Sequence, residues 1–471
     1  MDSQSPILNS ASALEIPDRP AANSKPWSLA TRVAFRFCFI YFGLFMALDI
    51  MLVVPVWMVF NMTANRVAIG DLPPFPNAVY WVARHVFKIA HPVGFYEPSP
   101  VDWVRLFCLL VIAFAGTVVW SILDRKRPSY PRLYAWFRIV VLVLLSATMF
   151  FYGTGKIIPV QMWFPRLTRL LERFGDFSPM AVLWNSMGAS PAYEVFTGCA
   201  EVLGGLLLVF PRTTMLGALI CLADMLNVFL LNMFYDVNVK GFSFHLILLA
   251  IFLLAPDAKR LLNLFFLGRA AEPASQHPLF RSPRANRMAL TVQVLLGLFL
   301  LGAGLRSASL RRMTEAGGVP NPPLYGIWDV QDFSLDGQSR PPLTTDSARW
   351  RRIVFENIHP WARRQVVTFQ NGRFANSEEM VVYGMDDEPD DTDTGIAIVN
   401  TGANAIEFFR DDLDKKPELL SYSQPSPGQL VLDGVVNGHK IHAFMKLYDT
   451  SNFYLVTRSR HIYFVGDGVY R

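Results

Sequence analysis

The chain has 471 residues, of which 52% are hydrophobic and 17% charged, with a formal net charge of +5 and a mean hydropathy of +0.29. That apolarity exceeds an ordinary soluble domain and excludes a disordered or purely water-soluble class. Basic and acidic residues are interleaved rather than clustered on one stripe, so no nucleic-acid partner is expected; the expected partner of most of the surface is a lipid bilayer.

Residues 1–26 are polar and rich in Pro and Ser, and read as a disordered tail. Residues 27–305 form the predicted transmembrane domain, with spans near 33–59, 103–122, 134–157, 193–210, 213–234, 241–255 and 288–305. About 20 apolar residues are needed to cross the hydrocarbon, so 241–255 needs flanking residues to complete it. The first run is too long for a signal-peptide core and is read as a retained anchor. Lys and Arg are in excess at the ends that share the N-terminus, as in Arg125, Lys126, Arg127 and Arg132. That bias puts the N-terminus in the cytoplasm. Seven spans then export the C-terminal domain, and the expected site is a bacterial inner membrane.

Polar residues inside the spans mark the candidate site, because an ionisable group in hydrocarbon is costly without a partner. In "YEVFTGCAEVLGGLLLVFP" Glu194, Gly198, Glu201 and Gly205 are spaced 4, 3 and 4, and so share one helical face. Small residues on that face invite close approach of another helix. Asp224 and Asn227 share a face of the next span, followed by Asp236, Lys240 and His245. Lys156 ends the third span; it either snorkels to the headgroups or partners a glutamate of the fourth. The expectation is an inward cluster of Lys156, Glu194, Glu201, Asp224, Asn227, Asp236, Lys240 and His245, and the bland alternative is a neutralised packing network. Residues 165–184, which mix Arg166, Arg169 and Arg173 with leucines, read as an amphipathic helix lying on the membrane surface.

The runs "FYGTGKIIPVQMWFP", "YEVFTGCAEVLGGLLLVFPRTTMLGALI" and "NVFLLNMFYDVNVKGFSFHLILLAIFLLAPD" resemble the larger DoxX-like membrane proteins. The resemblance implies a four-helix core over about residues 134–255. The family takes its name from a subunit linked to thiosulfate:quinone oxidoreduction, and no catalytic set carries over from it. Cys38, Cys108, Cys199 and Cys221 form no C-x-x-C pair, which argues against thiol exchange. His245 alone of eight histidines lies in a span, so no bis-histidine haem site is indicated. A quinone, a lipophilic small molecule or a redox partner subunit remains as the cofactor expectation, and no metal is expected. His439 and His442 in "HKIH" fall on opposite faces of a strand.

Residues 306–323 read as a linker, and 324–471 as an extracytoplasmic all-β small barrel of about eight strands. Turn pairs Asp336-Gly337, Asn371-Gly372, Pro427-Gly428 and Asn437-Gly438 punctuate it, and Asn437-Gly438 predicts a type I′ hairpin. Gly326-x-Trp328 at its start, with Arg458 near its end, resembles a lipocalin, and implies that Arg458 comes from the closing strand and lies over Trp328. The run 385–395 reads as a solvated acidic loop. Arg349–Arg352, with Arg363 and Arg364, is basic enough to face anionic headgroups. Two functions follow as expectations: a quinone-linked or other small-molecule redox component, or a non-catalytic envelope anchor whose barrel binds a lipid or a protein.

Overall fold

The computed structural model describes residues 26–61, 69–89, 100–270, 279–315, 321–357, 377–385, 395–409 and 416–458. It has two parts: an N-terminal helical region with seven helical stretches long and apolar enough to cross a membrane, and a C-terminal closed antiparallel barrel.

The spans are α1 (Leu29–Leu48), α4 (Pro100–Leu123), α5 (Pro131–Ile157), α8 (Pro191–Val209), α9 (Thr214–Phe234), α10 (Lys240–Leu254) and α12 (Pro283–Glu315). Between them lie α2 (Val54–Phe60), α3 (Phe75–His85), α6 (Leu167–Leu171), α7 (Pro179–Gly188) and α11 (Ala258–Phe265). Hydropathy finds all seven spans, but the first is not one helix. It stops at Leu48, where the Asp49 carboxylate accepts the Ile50 N–H at 2.7 Å and starts a new turn. α2 then packs against α5 and α12. The short sixth span is completed by a 3₁₀ turn and α11, giving an apolar stretch over Lys240–Phe265. α12 continues through Glu315, so the first ten residues of the expected linker are helical.

α5 is the central helix, buried along most of its length. Glycines seat α8 on it: a Cβ at Gly198 would lie 2.6 Å from the Gly153 carbonyl oxygen, and one at Gly153 would lie 2.8 Å from that of Gly198. α9 closes on the other side of α8 in the same way, since a Cβ at Gly217 would lie 2.6 Å from the Leu208 nitrogen. Backbones this close gain dispersion and exclude lipid from the seam. Leu110, Val111, Ile112 and Phe114 of α4 are exposed, as a lipid-facing surface requires.

The barrel strands are β1 (Gly326–Leu335), β2 (Gln338–Ser339), β3 (Arg352–Asn357), β4 (Ser377–Tyr383), β5 (Gly395–Asn400), β6 (Ala405–Phe409), β7 (Glu418–Ser423), β8 (Gln429–Val436) and β9 (His439–Leu447). Each pairs with its neighbour in the order β2-β1-β3-β4-β5-β6-β7-β8-β9, and β9 returns to pair with β1. β2 is a short extension of the β1 hairpin, so eight strands close the ring. β1 can serve two partners because a bulge between Val330 and Asp332 bends it. Asn437 and Gly438 both have positive φ, +56° and +81°, as the I′ turn demands. Asp336 and Gly337 do the same at the β1–β2 turn. Inward side chains, among them Trp328, Phe355, Met380, Phe408, Leu430 and Met445, form one buried apolar cluster.

The expected closing strand at the end of the barrel is a correction. Residues Tyr454–Arg458 form a short helix, α13, because β9 has already closed the ring onto β1 and leaves no edge for a further strand. The side chain of Arg458 lies outside the described residues; Trp328 is buried and donates its indole N–H to the Leu324 carbonyl at 2.8 Å. The arginine buried in the barrel is Arg349, expected on the headgroup-facing surface. It is 2% exposed and donates to the carbonyls of Arg340 (2.9 Å) and Trp350 (2.7 Å). Burial pushes its guanidinium below the usual arginine range. The turn at Asn371-Gly372, the acidic residues 386–394, Arg363, Arg364 and the N-terminal tail through residue 25 lie outside the described residues.

Candidate functional site

The polar groups of the spans separate into three sets. The first lies in the α5–α8 seam, where the Lys156 ammonium donates to Glu201 Oε1 at 2.5 Å, with side chains 7% and 2% exposed. Lys156 therefore does not snorkel: Gly198 leaves room for its stem to turn inward onto α8, since a Cβ there would lie 2.8 Å from the Lys156 Cβ. Glu194, in the first turn of α8, is fully buried and accepts the Met162 backbone N–H at 3.1 Å. Asp224 of α9 lies within coulombic reach of Glu201 and Lys156, and Glu194 within reach of Lys156. One oxygen of each carboxyl, Glu194 Oε2, Glu201 Oε2 and Asp224 Oδ2, has no hydrogen-bond partner among the described residues.

The second set holds His245 at the α1–α10 contact, away from this seam. The Gly241 carbonyl can only accept, so His245 Nδ1 carries a proton toward it at 2.6 Å. Nε2 of the neutral ring then accepts from the Tyr41 hydroxyl at 2.6 Å. The ring stacks on Phe45 with centroids 3.9 Å apart. With both nitrogens engaged, His245 is a packed helix-to-helix contact.

The third set corrects the expected inward cluster. Asp236 is exposed and forms an ion pair with Lys240 across the α9–α10 turn, while Asn227 lies on the exposed face of α9. An i, i+4 pair at a helix start needs no bundle interior. Helical spacing puts Glu194 and Glu201 on one face of α8, where both are buried, but it cannot tell an inner from an outer face for residues at the end of a span.

Three polar features escaped sequence reading. Arg36 of α1 is 2% exposed; it donates to Ser121 Oγ (2.9 Å), the Asp124 carbonyl (2.8 Å) and the Tyr130 hydroxyl (2.7 Å). Its presence inside an apolar run was the available signal. Arg105 of α4 pairs with Asp71 at 3.5 Å. The last feature joins the two parts of the molecule. α6 packs on the barrel: Leu167 is buried on the barrel exterior with Ile327, Val354, Val381 and Tyr383. Arg166 bridges Glu356 (2.8 Å) and Glu379 (2.6 Å) and donates to the Asn357 carbonyl (2.9 Å). Glu356 Oε1 also accepts the Thr168 hydroxyl at 2.6 Å, and Oε2 accepts the Leu167 N–H at 3.0 Å. Burial pushes the Glu356 carboxyl above the usual glutamate range, against the pull of Arg166. Burial also raises the nearby Tyr383 phenol.

The uncharacterized protein YwoB of Bacillus subtilis is 31% identical to this chain over 123 residues, which are 26% of this chain and 78% of YwoB. The chain belongs to the family of YwoB. YwoB is itself uncharacterized, so the kinship brings no chemistry with it. No family model matches the chain, and no solved structure matches it.

Among the described residues no group of three or more His, Cys, Asp or Glu side chains is placed to hold a metal ion. His439 and His442 are both exposed and pair separately, with Asp336 and Asp433. The four cysteines are free thiols. A cavity of about 10 Å³, room for one water, lies beside Ser146 and Gln293, where α5 meets α12.

Proposed function

We propose that this chain is a DoxX-like integral membrane protein of a bacterial inner membrane that anchors an extracytoplasmic, lipocalin-like β barrel and presents it in a fixed orientation to a lipid or protein partner. The observation that carries this reading is the joint at Arg166. A barrel merely tethered by its linker would not bury Leu167 and Glu356 against a second segment of the membrane domain. Both partners of the joint follow an odd-numbered span, α5 for Arg166 and α12 for the barrel, which agrees with their sharing one side of the membrane. The Lys and Arg bias makes that side the extracytoplasmic one.

A second reading, a quinone-linked or other small-molecule redox component, is favoured by the unpaired carboxyl oxygens of Glu194, Glu201 and Asp224. Carboxyls can deliver protons to a reduced quinone head within hydrogen-bond reach. The electrons would have to come from a partner subunit or a bound carrier, since four separate thiols make no redox centre.

One experiment separates the two. The full chain is purified in mild detergent, bound small molecules are extracted and identified by mass spectrometry, and the absorption spectrum is followed on adding reductant. Recovery of bulk phospholipid alone, with an unchanged spectrum, supports the anchor. A stoichiometric quinone or a co-purifying flavoprotein overturns it in favour of the redox component.

A further inference from the structure

Charge counting at the α5–α8 seam does not balance. Glu201 of α8 pairs with Lys156 of α5, and two further carboxyls, Glu194 of α8 and Asp224 of α9, lie within coulombic reach of the same ammonium. The next cation is Arg311 of α12, whose guanidinium stands 5.3 Å from the Phe151 ring and beside Gly155. Counting Arg311 in full leaves, among the described residues, these three carboxyls against two cations. Glu194 is 0% and Glu201 2% exposed, so neither can be neutralised by bulk water. A bare carboxylate oxygen at this depth carries a desolvation cost of several kcal/mol, whereas a carboxylic acid is far cheaper to bury.

We infer that Lys156, Glu194, Glu201 and Asp224 form an intramembrane proton-binding site that holds at least one exchangeable proton on its carboxyls at neutral pH. Three observations support a proton over other ligands. The unpaired oxygens number three, one on each carboxyl, and a proton on any of these carboxyls removes a buried charge that no donor compensates. Among the described residues no three of these or other His, Cys, Asp or Glu side chains are grouped to hold a metal ion. Where Gly153 meets Gly198 the α5 and α8 backbones are too close for a larger molecule to sit between them, so what binds at that point of the seam is small. His245 takes no part, because both of its ring nitrogens are already bonded to Gly241 and Tyr41. The inference does not depend on the anchoring role, and either outcome of the small-molecule extraction is compatible with it.

The test is infrared spectroscopy of the full-length protein in lipid nanodiscs, read in the C=O stretch of protonated carboxylic acids. The wild type is expected to show such a band at neutral pH, shifting on transfer to D₂O and disappearing as the pH is raised. Each of Glu194→Gln, Glu201→Gln and Asp224→Asn should diminish it, because removing any one carboxyl leaves two to face two cations. Lys156→Met should strengthen it. Should that last variant fail to fold, the three near-isosteric amides and the wild-type pH titration still decide. Absence of the band from the wild type, or its persistence unchanged in all three amide variants, overturns the proposal.

Discussion

Two buried glutamates, one in the membrane seam and one at the barrel joint, meet the same problem in opposite ways. Glu356 gives both oxygens to donors: Oε1 takes Arg166 and the Thr168 hydroxyl, and Oε2 takes the Leu167 N–H. Glu201 takes Lys156 on one oxygen and leaves the other bare among the described residues. A fully satisfied carboxylate fixes a geometry and has little left to do. A half-satisfied one retains the capacity to bind something. The joint is accordingly a fastening and the seam a site, and breaking each should have different consequences.

The largest effect is expected in the seam. Glu201→Leu strands the Lys156 ammonium, and losing one partner of a buried pair costs about 3–5 kcal/mol. The variant should fail to accumulate in the membrane, while Glu201→Gln, which still accepts from Lys156, should accumulate near the wild-type level. Immunoblotting of membrane fractions and a thermal melt in detergent measure both; equal tolerance of the two changes would remove the buried-pair argument. Gly198→Val comes next. Its Cβ would sit 2.6 Å from the Gly153 carbonyl and 2.8 Å from the Lys156 Cβ, so α5 and α8 must separate. Overpacking of this kind costs about 1–3 kcal/mol. The melt should show the loss, with the barrel's own unfolding unchanged if the two parts unfold separately.

At the joint the effect should be smaller and local. Arg166→Met leaves Glu356 and Glu379 facing one another without the shared cation, and Arg166 is 23% exposed, so solvent recovers part of the loss. A cost of about 1–2 kcal/mol is expected. It should show as faster hydrogen exchange over Leu167–Leu171 and Arg352–Asn357, with the α5–α8 seam unaffected. The pH dependence follows from Glu356. Its folded carboxyl lies above the unfolded value of about 4.5 because burial outweighs Arg166, so the folded state holds the proton more tightly. Its contribution to stability is therefore full below that value and declines as pH rises through the folded one. The joint should loosen as pH rises above about 4.5, and Glu356→Gln should flatten that slope.

The same contrast explains what the sequence could reveal. Hydropathy is a sum over neighbours, so the spans were visible, as was the hairpin at Asn437-Gly438, whose two adjacent residues specify positive φ. The Glu194–Glu201 face was legible from spacing within one helix, and Lys156 as its partner was one of two open alternatives. The Leu167–Glu356 contact joins residues 189 positions apart. No local pattern encodes it, and Arg166, Leu167 and Leu170 look the same whether they meet headgroups or a barrel wall. Asp49, which splits the first span, was visible as an acid within an apolar run, yet run length alone made one helix of it. Arg458 misled because a terminal alternating run looks like a strand whether or not a sheet edge remains to receive it.

The smallest effect should come from the barrel surface. Asp336 is exposed at the β1–β2 turn, and hydrogen bonds from His439 Nδ1 at 2.7 Å and the Lys440 N–H at 2.8 Å hold its carboxyl below the usual aspartate range. The sign is opposite to that of Glu356. A depressed folded value means the stabilisation is present above the unfolded value and lost as pH falls through the folded one. Asp336→Asn keeps the positive φ of +53° that the turn requires, because Asn tolerates the left-handed region. It removes the charge alone. The wild type should therefore lose a small increment of barrel stability on acidification that Asp336→Asn lacks, and denaturant melts of the two at neutral and at acid pH measure the difference. If Asp336→Asn instead destabilised the chain as much as Arg166→Met, the turn would be part of the fastening, and a satisfied carboxylate on the surface would matter as much as one buried at the joint.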